Sequence, residues 1–282
     1  MKIRGRLLVA FVVAALAAGG VASAQRRRGG GFGGGGGFFR GPAPKMMTAG
    51  DYNGAFLFCR IVFRNSPDGD GAGWGVDYPR ADINLTFRLS ELSKTPVTRD
   101  EREGYNHVVL RLTDPLLYHC PFTMMTEPGG AYFDEAEAAA LHDYGIKGGF
   151  LWADDFWSDY AFSIWAREIG KAFPPERYPI IDVPLDHQLF HMLYDIKHLT
   201  QIPGISYWQR SGGGTSERGA ESAVPHVRAI LDDDGRIMVL MTHNSDFGDA
   251  FEREGDDHAY FLQFAPYGYA FGVNAIVYSM SH

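Results

Sequence analysis

The chain has 282 residues, with 26 Lys/Arg against 34 Asp/Glu and a formal net charge of −8. The charge is segregated: residues 1–45 hold eight Lys/Arg and no acid, which leaves 18 basic against 34 acidic groups, a formal −16, on residues 46–282. So acidic a body excludes a nucleic-acid binder, and its length suits one substantial α/β domain with its own core.

The N-terminus places Lys2, Arg4 and Arg6 before an apolar run from Leu7 to Ala18, and Val21-Ala22-Ser23-Ala24 before Gln25. A basic region, a short apolar region and an A-x-A end predict a signal peptide over residues 1–24, and hence a periplasmic or secreted protein. Residues 25–45 combine Arg26-Arg27-Arg28 with glycine-rich sequence and few bulky apolar residues. That composition predicts a disordered basic tail, either a spacer or a segment that touches anionic surfaces. Two cysteines remain, Cys59 and Cys120. In an oxidising compartment they can pair, but the apolar run around Cys59 equally suits a buried free thiol.

In chain order, Phe56 to Phe63 is apolar on both faces and predicts a central strand. A glycine-rich loop from Asp68 to Gly75 leads to a helix over Arg80 to Ser93, striped by Leu85, Leu89 and Leu92. Strands are predicted at His107 to Thr113 and at Phe122 to Thr126. Asp134 and Glu137 form a capping-box pattern for a helix to Tyr144, with Gly145 placed to end it. A strand over Ile146 to Ala153 follows, with Asp154 and Asp155 just beyond its end, then an amphipathic helix over Ser158 to Ala172. Tyr178 to Val183 predicts another strand, Leu189 to Ile196 a helix or loop, and Ser211 to Ala223 an exposed loop. Val227 to Leu231 and Ile237 to Met241 flank Asp234-Gly235 and predict a hairpin. The final helix is predicted over Tyr267 to Met280, with Pro266 near its start. Strands alternating with helices predict a mostly parallel sheet covered on both faces.

In such sheets ligands bind at the carboxyl ends of strands. Asp154, Asp155, Asp186, His187, His243, Asp246 and Asp249 all follow predicted strands, and of these Asp154, Asp155, Asp186, His187, Asp246 and Asp249 are the candidate ligand-binding set. Clustered carboxylates with an imidazole suit a divalent cation, for which Asp154, Asp155, His187 and Asp246 are the candidate ligands. The competing reading is that Asp154 or Asp155 caps the following helix. His187 and His191 are four apart, a metal-ligand spacing on a helix but equally that of structural histidines. Trp74 and Trp157 are candidate rim aromatics. Gly-x-Ser-x-Gly, P-loop and Cys-x-x-Cys patterns are absent, and no organic cofactor is expected.

Together, Gly148-Gly149-Phe150-Leu151-Trp152-Ala153-Asp154-Asp155-Phe156-Trp157, Asp186-His187, Asp233-Asp234-Gly235-Arg236, Asn244-Ser245-Asp246-Phe247-Gly248-Asp249 and Gly272-Val273-Asn274-Ala275-Ile276-Val277-Tyr278 resemble the bacterial domain of unknown function 4159 family. The resemblance covers about residues 52–282. That family is similar to the class I glutamine amidotransferase-like superfamily, including its trehalose-utilisation branch, which implies a flavodoxin-like three-layer domain over residues 46–282. In amidotransferases the corresponding strand ends in a nucleophilic cysteine; here Ala153-Asp154-Asp155 stands there, so thiolate glutaminase chemistry is not expected. Three functions stay open. The first is an exported module binding a carbohydrate-like ligand or an envelope protein at the strand-end edge. The others are a divalent-metal hydrolase using His187 as acid or base, and a structural component of an envelope assembly.

Overall fold

The computed structural model describes residues 43–282; the predicted signal segment 1–24 and nearly all of the predicted 25–45 tail lie outside the described residues. The strands are β1 (Phe58–Val62), β2 (Arg64–Asn65), β3 (His107–Arg111), β4 (Phe122–Thr126), β5 (Ala131–Tyr132), β6 (Phe150–Phe156), β7 (Ile181–Asp182), β8 (His226–Leu231) and β9 (Ile237–His243). The α-helices are α1 (Arg80–Ser93), α2 (Glu135–Ile146), α3 (Ser158–Ala172), α4 (Ile205–Ser211), α5 (Phe247–Glu252) and α6 (His258–Ser281).

Seven strands form one sheet in the order β3-β1-β4-β6-β9-β8-β7. The first five run parallel, while β8 is antiparallel to β9 and β7 to β8. Counted along the chain, the five parallel strands follow the flavodoxin-like order 2-1-3-4-5. The short β2 and β5 pair separately. Along β6 successive side chains enter opposite cores, Phe150 and Trp152 on one face and Leu151 and Ala153 on the other. The first core is closed by α1, α5 and α6 and the second by α2 and α3, which makes the three layers. Cys59 and Cys120, both fully buried, are joined in a disulfide that ties β1 to the segment entering β4. Among the described residues no helix is long and apolar enough to cross a membrane.

Several predicted boundaries shift for identifiable reasons. Asp134 and Glu137 do form the capping box of α2, but the helix runs through Gly145 to Ile146. Gly145 serves packing instead: a Cβ there would come 2.8 Å from Phe173 Cζ, and the left-handed glycine beyond the helix is Gly148 (φ 104°). The predicted strand at Tyr178 to Val183 shrinks to the two exposed edge residues of β7. Ile205–Ser211, to which the sequence assigns no element before the loop that begins at Ser211, is helical. The last helix begins nine residues before the predicted start, because Asp257 caps the Ala259 and Tyr260 amides. Pro266 therefore lies inside α6, at an exposed position of the helix, where it removes one intrahelical donor. Strand β6 begins at Phe150 and extends through Asp154 and Asp155 to Phe156.

Candidate functional site

The crossover after β1 uses α1 and the crossover after β4 uses α2, and these helices lie on opposite faces. The topological switch is therefore between β1 and β4, and a ligand crevice is expected outside their carboxyl ends. Carboxylates converge at this edge from four places. Asp77 comes from the loop between β2 and α1, Glu127 directly follows β4, Asp154 and Asp155 lie near the end of β6, and Asp246 and Asp249 follow β9.

Asp77 is positioned by a buried cation. Arg60 on β1 is fully buried, pairs with Asp82 of α1, and donates from Nη1 to Val76 O at 3.1 Å and Thr126 Oγ1 at 2.8 Å. The loop is thereby held immediately before Asp77, whose backbone is left-handed (φ 63°). Asp77 Oδ2 is buried with no hydrogen-bond partner. An added Cβ on Gly248 would sit 2.1 Å from that atom, so the close approach depends on glycine. Gly204 has a similar place: a Cβ there would meet Asp246 Oδ2 at 3.2 Å and Asp249 Oδ2 at 3.5 Å.

Asp154 lies where the two-residue period of β6 demands a core side chain. Its carboxyl accepts from Thr242 Oγ1 and, at 2.9 Å, from Gly248 N. Burial pushes its pKa up to about 7, against the lowering effect of those donors. Asp155 accepts at 2.8 Å from the indole of Trp157. Burial first, then the charges of Glu127, Asp77 and Asp154, raise it well above the usual carboxylate range. Asp246 accepts from Asp249 N at 2.7 Å and is likewise raised, by burial and then by Asp155 and Asp249. Asp77 is raised by burial, Asp249 and Glu252, and partly relieved by Arg60. Glu127 accepts from the Ala72 and Gly73 amides, yet burial lifts it to about 7. Asp249 accepts from Ile205 N at 2.6 Å and Arg253 Nε at 2.9 Å.

Backbone strain gathers at the same edge. Seven non-glycine residues among those described have positive φ, and Asp77, Glu127, Asp155, Ser158 and Asn244 are five of them. Each such residue costs roughly 1–3 kcal/mol and persists only where its surroundings impose it. Asn244 repays part of this by accepting from Ser158 N at 2.8 Å, which joins the ends of β9 and α3.

The predicted set is thus brought together in part. Asp154, Asp155, Asp246 and Asp249 converge, but Asp186 and His187 do not. His187 lines a depression with Asp232, Gly235, Tyr278 and His282. That depression lies beside the turn that precedes β9, at the opposite edge of the sheet. His191 sits in a single 3-10 turn and bonds Asp195 and the Leu185 carbonyl, so the His187/His191 metal pair is not formed. His243, the last residue of β9, is buried, bonds the Ser158 carbonyl and faces Phe156 and Phe162. Trp157 is 5% exposed and braces Asp155, so it forms no rim; Trp74 packs edge-on against Tyr78. Nor do Asp154 and Asp155 cap α3, whose N-cap is Trp157 with no side-chain bond. Sequence reasoning missed Asp77 and Glu127. The signal available for them is an acidic residue adjoining Tyr78-Pro79 or Pro128-Gly129-Gly130, where the backbone departs from regular structure.

Of the predicted metal ligands only Asp246 belongs to a group with coordinating geometry. Among the described residues that group is Asp77, Asp246 and Asp249, all buried, each offering a carboxylate oxygen within 4.8 Å of the others. Asp154 is occupied by Thr242 and Gly248, and His187 is at the far edge.

The model of the family described as domain of unknown function (DUF4159) matches residues 62–280, and the chain belongs to that family. No curated protein matches the chain.

Proposed function

We propose that this member of the DUF4159 family is an exported binding module that holds a small polar ligand at the carboxyl edge of its parallel sheet. The observation that carries the reading is the convergence of buried carboxylates on strained backbone at the switch point. Like charges withdrawn from water oppose folding, and so does the left-handed backbone that presents them. An arrangement of this kind is expected where a cationic or hydroxyl-rich ligand offsets the cost. Carbohydrate-like ligands would bind by donating hydroxyl hydrogen bonds to carboxylates such as Asp155 and Glu127. Export is supported by the residue 1–24 pattern and by the Cys59–Cys120 disulfide, a bond favoured in oxidising compartments.

The likeness to the amidotransferase-like superfamily draws support from the strand order and from Asp155. This residue has φ 60° at the irregularity between Asp154 and Phe156 near the end of β6, where the resemblance would place that superfamily's cysteine. With a carboxylate there and both cysteines joined elsewhere, thiolate glutaminase chemistry has no nucleophile. A hydrolase built on Asp154, Asp155, His187 and Asp246 loses its acid/base group, because His187 is at the other edge.

The test is a thermal-shift panel of sugars, polyols and polyamines on the wild type and on Asp155→Asn. A ligand that raises the wild-type Tm and leaves the variant unmoved supports the reading. If no compound shifts the wild type, and Asp155→Asn merely stabilises the fold, the edge binds no small ligand. Affinity capture of an envelope partner then becomes the experiment of choice.

A further inference from the structure

The carboxylates at this edge divide into those whose hydrogen bonds explain them and one whose bonds do not. Asp246 caps the first turn of α5 through Asp249 N, and Asp249 receives Ile205 N and Arg253 Nε. A purely structural reading accounts for both. It does not account for Asp77, which is 7% exposed, stands on left-handed backbone, and directs an unpartnered Oδ2 at Gly248. An orphaned buried carboxylate oxygen is expensive unless something absent from the protein completes it.

Asp77, Asp246 and Asp249 also place one oxygen each within 4.8 Å of one another. That spread suits oxygens around one ion at about 2.0–2.6 Å. A carboxylate offers about four lone-pair sites, so the caps at Asp246 and Asp249 leave capacity for coordination. The donors are all oxygen, with no imidazole or thiolate in the group, which selects a hard cation over zinc or copper. Gly248 and Gly204 keep side chains out of the space where these carboxylates meet.

We propose that Asp77, Asp246 and Asp249 form a divalent-cation site, for Ca²⁺, Mg²⁺ or Mn²⁺, built into the ligand-binding edge. The inference rests on the reading that this edge is the functional site, and it names the ion that organises it. Three side chains fill only part of a shell of six or more. The ion's remaining positions are left to water, to backbone oxygens, or to hydroxyl and carboxylate groups of the ligand. Asp155 adjoins the cluster without belonging to the trio.

The experiment uses the full chain stripped with EDTA and titrated calorimetrically at pH 7.5 with the chloride of each cation. Asp77→Asn and Asp246→Asn are compared with Asp186→Asn at the opposite edge. The expected result is one bound ion per wild-type chain and at least tenfold weaker binding in the first two variants, with Asp186→Asn unchanged. The amides keep the shape and remove like-charge repulsion, so the ion-free variants should melt no lower than the wild type; that melt verifies folding. Absence of binding by all three cations in the wild type overturns the site, as does equal binding by the variants. Repeating the polar-ligand panel in EDTA separates the two claims. A ligand shift lost in Asp155→Asn, with no cation bound, removes the ion and keeps the edge as a site. A bound cation with no polar-ligand shift, with or without the ion, keeps the ion and removes the polar-ligand reading.

Discussion

Replacing Asp154 with asparagine isolates the electrostatic cost of one buried carboxyl. In the folded chain burial raises this group from 3.8 to about 7. The folded state therefore holds a proton that the unfolded state has released, across the window between those two values. Stability from this group is complete below pH 3.8, falls as pH rises, and levels off above about 7. A shift of three units corresponds to about 4 kcal/mol in full, of which roughly 2–3 kcal/mol falls between pH 5 and 8. The amide resembles the protonated carboxyl. Its oxygen can accept from Gly248 N, and its NH₂ can donate to Thr242 Oγ1, which is then free to turn its own proton toward the Ala153 carbonyl. Urea unfolding of wild type and Asp154→Asn in EDTA at pH 5, 6, 7 and 8 should thus give diverging curves. The two proteins should be closest in stability at pH 5, and the variant should gain on the wild type by about 2–3 kcal/mol by pH 8. Parallel curves would show that Asp154 ionises in the folded protein as readily as in the unfolded chain, and the burial argument would fail.

Gly248→Ala would place a methyl on Asp77 Oδ2. We expect a loss of about 1–3 kcal/mol from the forced displacement despite alanine's better helix propensity, together with loss of cation binding; a variant as stable as wild type that binds the ion normally contradicts the proposed cradle. Cys59 and Cys120 are 61 residues apart in sequence. Replacing both with alanine should lower stability by about 2–4 kcal/mol in urea unfolding, and an unchanged midpoint would show that the buried bridge contributes little.

The fold was legible because its signals are local. Asp134 and Glu137 announce α2, the leucine stripe announces α1, and Phe150 to Ala153 read as a strand buried on both faces. What these signals could not convey was how far a strand continues once its residues turn polar. Asp154 was read as lying beyond β6 because an unpaired carboxylate is a poor core residue. It is a core residue nonetheless, since Thr242 and the Gly248 amide, both contributed from about 90 residues downstream, supply its donors. The same distance problem placed His187 wrongly. β7 does run parallel to β9, since both are antiparallel to β8, but it is only two residues long, and the chain after Val183 turns back so that His187 lies beside the turn that precedes β9.

Asp77 shows most clearly why a site is harder to read than a scaffold. Nothing in Gly75-Val76-Asp77-Tyr78-Pro79 relates it to Asp246, 169 residues later. The relation is made by Arg60, which is buried on β1 and draws the Val76 carbonyl inward, and by Gly248, which leaves room for the carboxylate that arrives. Arg60 also follows from its pairing with Asp82, because a buried guanidinium needs a carboxylate. Its remaining donors, directed to Val76 O and Thr126 Oγ1, fix the loop at the end of β4 as well. One buried cation therefore fixes both the residue before Asp77 and the last residue of β4 before Glu127, where the chain takes two of its left-handed turns. The left-handed turns at Asp77 and Glu127 lie at this edge, but part of what holds them in place comes from Arg60 in the core beneath.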